Sequence, residues 1–280
     1  MCQVCGRVEG PISFITGVVA RWWAEFNTSG PEIAYFQTYV EAGQPALDLA
    51  CGTGRLLIPY LRAGLDVDGC DISPDMLALC RERAEREGLS PNLYLQAMHN
   101  LDMPRRYRTI YVCGGFGVSG NRHQGEEALR RIYEHLEPGG TLLLDHGMPY
   151  SDTGLWPYWT KERRRELPGG WPEPGTGAGK KSERRTGSDG TEYELTGRLV
   201  DVDPLAQQVT MEMRGSMWRN GRLVEQDEHV LKKMFYFTNE LQMMLERAGF
   251  SDIEVRGDYR DEEPTGDTED VVFIARKSRQ

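Results

Sequence analysis

Short apolar runs alternate with amphipathic segments through the first half of the chain. Segments 56–63, 74–87 and 126–136 have the three-to-four-residue spacing of helices. The apolar runs that predict buried strands are 45–50, 67–71, 93–96, 109–113 and 141–145. Because this alternation places helices on both faces of the strands, it predicts a doubly wound α/β core with a mainly parallel sheet.

The second half has a different pattern. Residues 151–190 are rich in glycine, proline and charge, which predicts a mobile loop. Three long strands are predicted at 192–202, 207–218 and 223–237, with a hairpin turn at Asn220-Gly221. A helix at 239–248 and strands at 253–259 and 271–276 then complete a mixed seven-stranded sheet. The three long strands therefore form an antiparallel β insert between the fifth strand and the last helix.

These elements divide the chain into three parts. Residues 1–43 are expected to form a helical cover, with two helices separated at Ser29-Gly30-Pro31. The core consists of 44–150 and 238–280, and 151–237 supplies the loop and the insert. The insert is expected to cap an acceptor site or to mediate dimerisation.

Composition and charge narrow the range of partners. The chain has 280 residues, 39% of them hydrophobic, and a formal net charge of −10. No apolar run has the length of a membrane span, and the start lacks the features of a signal peptide, so a cytoplasmic protein is expected. The acidic balance argues against a nucleic-acid partner, and the basic clusters at 161–165 and 180–185 are interpreted as solvated loops.

Six cysteines are present, and four of them fall within the predicted core. Cys2 and Cys5 have the spacing of half a zinc site, but no second pair follows at zinc-finger distance. No metal is therefore expected, and the thiols are expected to be reduced.

The glycine turn after the first strand, Asp48-Leu49-Ala50-Cys51-Gly52-Thr53-Gly54, predicts a nucleotide-like ligand. A P-loop would continue with Gly-Lys-Ser/Thr, but Arg55-Leu56 follows here. A dinucleotide site would have a third glycine where Leu57 stands. Asp71 ends the second strand 17 positions after Gly54, near the spacing of an acid that accepts hydrogen bonds from ribose. The turn therefore favours a nucleoside and disfavours a pyrophosphate.

Three segments together resemble class I S-adenosylmethionine-dependent methyltransferases. They are Asp48-x-x-Cys51-Gly52-Thr53-Gly54, Gly69-Cys70-Asp71-Ile72-Ser73-Pro74-Asp75-Met76 and Leu136-Glu137-Pro138-Gly139-Gly140. The resemblance covers about residues 40–148 and, more loosely, 233–280. It implies an S-adenosylmethionine cofactor, released as S-adenosylhomocysteine.

The resemblance also assigns parts of the cofactor to residues. The backbone of 50–54 is expected to meet the methionyl part, Asp71 the ribose, and Ile72 and Met76 the adenine. Many family members carry an acid for the adenine amino group where Ala97 stands here, so Met98, Gln96 or His99 is expected to replace it. The other expected cofactor contacts are Asp48, Arg55, Ala97 and Cys113.

Acceptor residues are expected after strands four and five and in the N-terminal cover. His146 is the first candidate for a general base and His123 the second. Acceptor contacts are expected from Trp22, Trp23, Phe116, Tyr150 and Trp218, and Met211, Met213 and Met217 are further candidates in the insert.

The sequence thus predicts methyl transfer to nitrogen or oxygen of a small organic acceptor by a monomer or homodimer. Two other classes stay open, namely a non-catalytic S-adenosylmethionine-binding regulator and a nicotinamide-dependent oxidoreductase. A nucleic-acid methyltransferase is disfavoured, because Val112-Cys113-Gly114-Gly115 stands where an Asn-Pro-Pro-Tyr-type motif would follow strand four.

Overall fold

The computed structural model describes residues 15–171 and 184–279. Its helices are α1 (Gly17–Phe26), α2 (Pro31–Ala42), α3 (Leu57–Arg62), α4 (Pro74–Arg86), α5 (Arg122–His135), α6 (Lys161–Arg164) and α7 (Thr238–Ala248). Its strands are β1 (Ala46–Leu49), β2 (Val67–Asp71), β3 (Leu93–Leu95), β4 (Tyr107–Val112), β5 (Leu136–Gly147), β6 (Arg185–Thr186), β7 (Glu192–Asp203), β8 (Gln208–Arg219), β9 (Arg222–Met234), β10 (Ser251–Gly257) and β11 (Asp270–Arg276).

The core is a seven-stranded sheet in the order β10-β11-β5-β4-β1-β2-β3. β11 is antiparallel to both β5 and β10, and the other neighbouring pairs are parallel. Helices α5 and α7 pack on one face, and α2, α3 and α4 pack on the other. The mixed, doubly wound sheet predicted from the sequence is therefore confirmed.

Local sequence fixes several element boundaries. The Ser73 hydroxyl accepts a hydrogen bond from the Met76 N–H, and Pro74 occupies the first position of α4. Asn121 and Gln124 form a reciprocal capping box at the start of α5. The fifth strand begins at Leu136 instead of 141, because Leu136 already pairs with Tyr107 of β4.

The insert is a second, antiparallel sheet in the order β6-β7-β8-β9. Helix α1 packs on this sheet through Val18, Val19 and Trp22, which contact Tyr193, Leu195 and Met217. The N-terminus of α1 also joins the insert to the core, because the Val18 N–H donates to Asp227 of β9 and the Gly17 N–H donates to Asp75 of α4.

The predicted loop at 151–190 is partly folded onto the insert. Residues 161–164 form α6, and Leu155 packs against Val202, Val209 and Phe235. Cys2, Cys5 and the basic positions 180–183 lie outside the described residues. Within the described ranges, none of the helices combines the length and the apolar character needed to cross a membrane.

Candidate active site

A large cavity lies at the carboxyl ends of the parallel strands, and we call it the main cavity. Its volume is about 1230 Å³, which exceeds the roughly 300–1,000 Å³ typical of a single ligand pocket. Residues that follow β1, β2 and β4 form one side, and β7, β8 and β9 form the other. The fold therefore has space for one molecule on the core and a second against the insert.

The turn after β1 is held against β2 by hydrogen bonds. The N–H groups of Ala50 and Cys51 both donate to the Cys70 carbonyl oxygen, at 2.8 and 3.0 Å. The Gly52 N–H donates to Asp71 Oδ2 at 2.8 Å. Gly52 has a φ of +54°, in the left-handed region that glycine adopts without steric penalty. The turn therefore presents its backbone to the main cavity in a fixed conformation.

Gly54, one of the expected cofactor positions, packs against neighbouring helices. It does not line the main cavity, and its φ is +83°. A Cβ at this position would stand 2.7 Å from Cys80 Sγ and 2.9 Å from Ile58 Cδ1. Glycine is therefore required here so that the turn can pack closely against α3 and α4.

Two carboxyl groups, those of Asp48 and Asp71, lie in the wall of the main cavity. Burial raises the pKa of Asp48 to about 8. Burial also raises the pKa of Asp71, although hydrogen bonds from the N–H groups of Ser73 and Gly52 partly oppose this rise. Each Asp71 oxygen accepts one of these bonds, whereas a carboxylate has about four acceptor sites. Asp71 therefore retains capacity for a ligand hydroxyl group.

The other expected cofactor positions gather around the same wall. Of the polar candidates for adenine, Gln96 is engaged elsewhere, because its amide donates to the Asp102 carbonyl and accepts from the Asp102 N–H. The Arg55 guanidinium forms an ion pair with Glu32 and lies 3.3 Å from Cys113 Sγ. The predicted positions that line the main cavity are Asp48, Ala50, Cys51, Gly52, Arg55, Asp71, Ile72, Met76, Ala97, Met98 and Cys113.

The expected acceptor residues separate into two groups. Trp23 and Phe116 line the main cavity, as do Met211 and Met213 of the insert. Trp22 and Met217 instead pack in the contact between α1 and the insert. Tyr150 is 38% exposed, and the Trp218 ring contacts the Arg184 guanidinium 3.9 Å from its centroid. Neither Tyr150 nor Trp218 lines the cavity.

His146 occupies a smaller polar cavity of about 340 Å³ beside the main one, which we call the side cavity. Its Nε2 accepts a hydrogen bond from the Tyr236 N–H at 3.0 Å. Burial and the nearby charge of Lys233 lower the pKa of His146 to about 3. The ring is therefore neutral and carries its hydrogen on Nδ1, for which no described residue is a hydrogen-bond partner. This geometry makes His146 a hydrogen-bond donor and does not support the expected role as a base.

His123, the second candidate base, lies at the start of α5 and is exposed. It lines neither cavity. Among the cavity residues that the sequence did not predict is Lys233, which lines both cavities from the end of β9.

Comparison with known proteins agrees with this architecture. Residues 46–140 match the family model described as a methyltransferase domain. A protein of Geobacillus sp. strain WCH70 that is named a methyltransferase is 24% identical, over 92% of this chain and 98% of its own length.

Solved structures are similar over nearly the whole chain. An S-adenosylmethionine-dependent methyltransferase from Clostridium acetobutylicum matches with a TM-score of 0.68 and 17% identity, over 92% of this chain and 97% of that one. A sugar N-methyltransferase from Streptoalloteichus matches with a TM-score of 0.66 and 17% identity, over 99% of both chains. At these identities the two structures show the fold. Together with the domain match over residues 46–140, they show that the chain has the Rossmann-like fold of S-adenosylmethionine-dependent methyltransferases.

Proposed function

We propose that this protein transfers a methyl group from S-adenosylmethionine to nitrogen or oxygen of a small organic acceptor. The observation that carries the proposal is the extent of the main cavity. It reaches from the turn after β1 and Asp71 to the inner face of the insert, so a cofactor and an acceptor can lie side by side.

The core side of the main cavity fits S-adenosylmethionine. Asp71 has acceptor capacity for the ribose hydroxyl groups, and Ile72 and Met76 offer apolar surface to the adenine. The fixed backbone of residues 50–52 faces the space for the methionyl part. When bound, the cofactor supplies a methyl group on a positively charged sulfur atom. Alignment of this carbon with an acceptor nucleophile is the main contribution required of the protein.

The insert side of the main cavity fits an organic molecule with apolar surface. It is lined by Leu195, Met211, Met213, Leu231 and Phe235. Methionine side chains adapt to irregular shapes, and their apolar surface helps to exclude water from the reacting atoms. The Streptoalloteichus neighbour is named a sugar N-methyltransferase, which is consistent with a small organic acceptor.

The test combines binding with turnover. Calorimetry is expected to show that the purified protein binds S-adenosylmethionine and that Asp71→Ala weakens binding roughly 10- to 100-fold, since hydrogen bonds to a charged group contribute about 1.5–3 kcal/mol. Asp102→Ala is the matched control, because Asp102 is an exposed acid outside both cavities. Unchanged binding in Asp71→Ala would remove the ribose assignment.

Turnover is measured with radiolabelled S-adenosylmethionine and a panel of small amines, phenols and alcohols. Methylation of a panel member would support the proposal. Cofactor binding without transfer to any of them would favour the non-catalytic regulator. Binding of NADH in place of S-adenosylmethionine would favour the oxidoreductase.

A further inference from the structure

The side cavity shares part of its wall with the main cavity. The shared residues are Arg55, Cys113, Gly114, Phe116, Gly147 and Lys233. Its remaining wall is strongly polar and includes Glu32, Asp145, His146, Tyr259 and Asp270. The two cationic side chains of the shared wall differ, because Arg55 is paired with Glu32, whereas Lys233 forms no hydrogen bond or ion pair with any described residue.

The backbone holds Lys233 rigidly between the cavities. The Met234 N–H donates to the Gly117 carbonyl at 2.8 Å, and the Ser119 N–H donates to the Lys232 carbonyl at 2.8 Å. These bonds join the end of β9 to the loop that follows β4. Because side chains alternate along a strand, Lys232 is exposed and Lys233 turns inward. The Lys233 ammonium group lies 5.0 Å from the centroid of the Phe235 ring.

The charged neighbours of Lys233 come from several elements. Asp145 of β5, Asp152 of the following loop and Asp270 of β11 act on it as negative charges, and burial lowers its pKa more than these charges raise it. His146 is neutral, and the Tyr259 hydroxyl donates to Asp145 at 2.7 Å. The Arg55–Glu32 pair carries no net charge. Three carboxyl groups therefore act electrostatically on one lysine, whose ammonium group has no hydrogen-bond or ion-pair partner among the described residues.

This arrangement favours a cationic ligand over an anionic one. Asp270 has no side-chain hydrogen bond within the described residues, and its carboxyl group faces the side cavity. An acceptor carboxylate or phosphate would meet the same three aspartates as like charges. An acceptor ammonium group would be attracted by them, and a buried lysine readily gives up its proton and then acts as a base.

We propose that the acceptor is an amine and that Lys233 removes the proton that its nitrogen must lose before methyl transfer; this inference rests on the function proposed above. Once it has lost its own proton to solvent, the Lys233 amine takes a proton from the acceptor ammonium group, so that an acceptor N–H bond breaks and an N–H bond to Nζ forms. The freed nitrogen electron pair then forms the bond to the methyl carbon, while the electrons of the carbon–sulfur bond return to sulfur. Lys233 releases its proton to solvent before the next turnover.

The kinetic test compares Lys233→Arg and Lys233→Met with Lys232→Met as the matched control. Loss of a general base lowers kcat about 100-fold or more. This decrease in kcat is expected in both Lys233 variants, because methionine has no basic group and the arginine guanidinium stays protonated. Lys232→Met is expected to match the wild type. Retention of kcat in Lys233→Arg, with a raised KM only in Lys233→Met, would overturn the proposal in favour of an anion-binding lysine.

A second readout does not depend on turnover. Competitive acetylation followed by mass spectrometry, in the wild-type protein across a pH series, is expected to show Lys233 titrating below the ordinary lysine value of about 10.4. An ordinary value would overturn the proposal. S-adenosylmethionine affinity in the Lys233 variants is measured by calorimetry. If the wild type binds the cofactor but methylates only hydroxyl acceptors, the inference about Lys233 fails and the proposed function stands. If the wild type does not bind the cofactor, the proposed function itself fails.

Discussion

Gly125 of α5 faces the hydroxyl group of Tyr236. A Cβ at Gly125 would stand 2.6 Å from the Tyr236 oxygen, but 3.6 Å from the ring carbon that bears it and 3.6 Å from Phe116 Cζ. The hydroxyl is buried and has no hydrogen-bond partner in the described part of the chain. The oxygen atom alone therefore prevents an alanine from fitting at position 125.

The expected energies follow from this geometry. Alanine in a helix interior is about 0.5–1 kcal/mol more favourable than glycine, whereas overpacking a core costs about 1–3 kcal/mol. Gly125→Ala alone should therefore lower the free energy of unfolding by about 1 kcal/mol. Tyr236→Phe removes an unpaired buried hydroxyl, whose desolvation costs about 1–3 kcal/mol, and should stabilise the protein. With the oxygen gone the alanine fits, so the two changes should be coupled by about 2 kcal/mol.

Urea denaturation of the wild type, both single variants and the double variant measures this coupling. Tyr236→Phe leaves the backbone N–H that donates to His146 unchanged, so the variant should keep its fold. Tyr133→Phe is the control, because position 133 lies about 12 Å further along α5 and should be additive with Gly125→Ala. If Gly125→Ala were equally destabilising with and without the Tyr236 hydroxyl, the reasoning would be refuted.

Two further predictions concern residues on the core side of the main cavity, where the cofactor is proposed to bind. Gly115→Ala would place a Cβ 2.6 Å from Ala50 Cβ and 3.2 Å from Met98 Cε. Calorimetry of this variant should therefore show S-adenosylmethionine binding about tenfold weaker than in the wild type. Gly120→Ala is the control and should bind normally, because the nearest atom to its new Cβ is 3.6 Å away. Folding raises the pKa of Asp48 to about 8 from an unfolded value of about 3.9. At a pH between these two values, the folded protein keeps a proton on Asp48 that the unfolded chain has lost. The free energy of unfolding should therefore fall as the pH rises through this range. The urea midpoint of Asp48→Asn should therefore rise relative to that of the wild type between pH 5 and pH 8. The same pH dependence of the midpoint in both proteins would contradict this prediction.

The sequence was sufficient to predict the core sheet and the position of the insert, because the signals are local. Buried strands of four to six residues, caps such as Ser73 and the Asn220-Gly221 turn each act within a few positions, and Asn220 and Gly221 both have positive φ in the hairpin. The positions of the strand ends were predicted less accurately. The length of β5 depends on pairing with β4, which involves residues distant in sequence.

The residues on the core side of the main cavity were predictable for the same reason, and those on the insert side were not. Most of the predicted cofactor positions lie just after strand ends that the fold brings together at the main cavity. Trp22 and Trp23, by contrast, are adjacent on α1, and helical periodicity cannot decide which of them faces a cavity and which faces the insert. The packing of α1 on β7 and β8 decides it: Trp22 is buried against the insert, whereas Trp23 is only partly buried there and also lines the main cavity.

Lys233 carried a signal of a different kind. In a strand with one covered face, two adjacent lysines such as Lys232 and Lys233 cannot both point to solvent, because successive side chains point to opposite faces. An inward ammonium group must find an ion-pair partner, lose its proton or face a cavity. The sequence alone cannot choose among these outcomes, because Asp145 and Asp270 approach from strands distant in the chain. The backbone bonds that join β9 to the loop after β4 fix Lys233 between the two cavities.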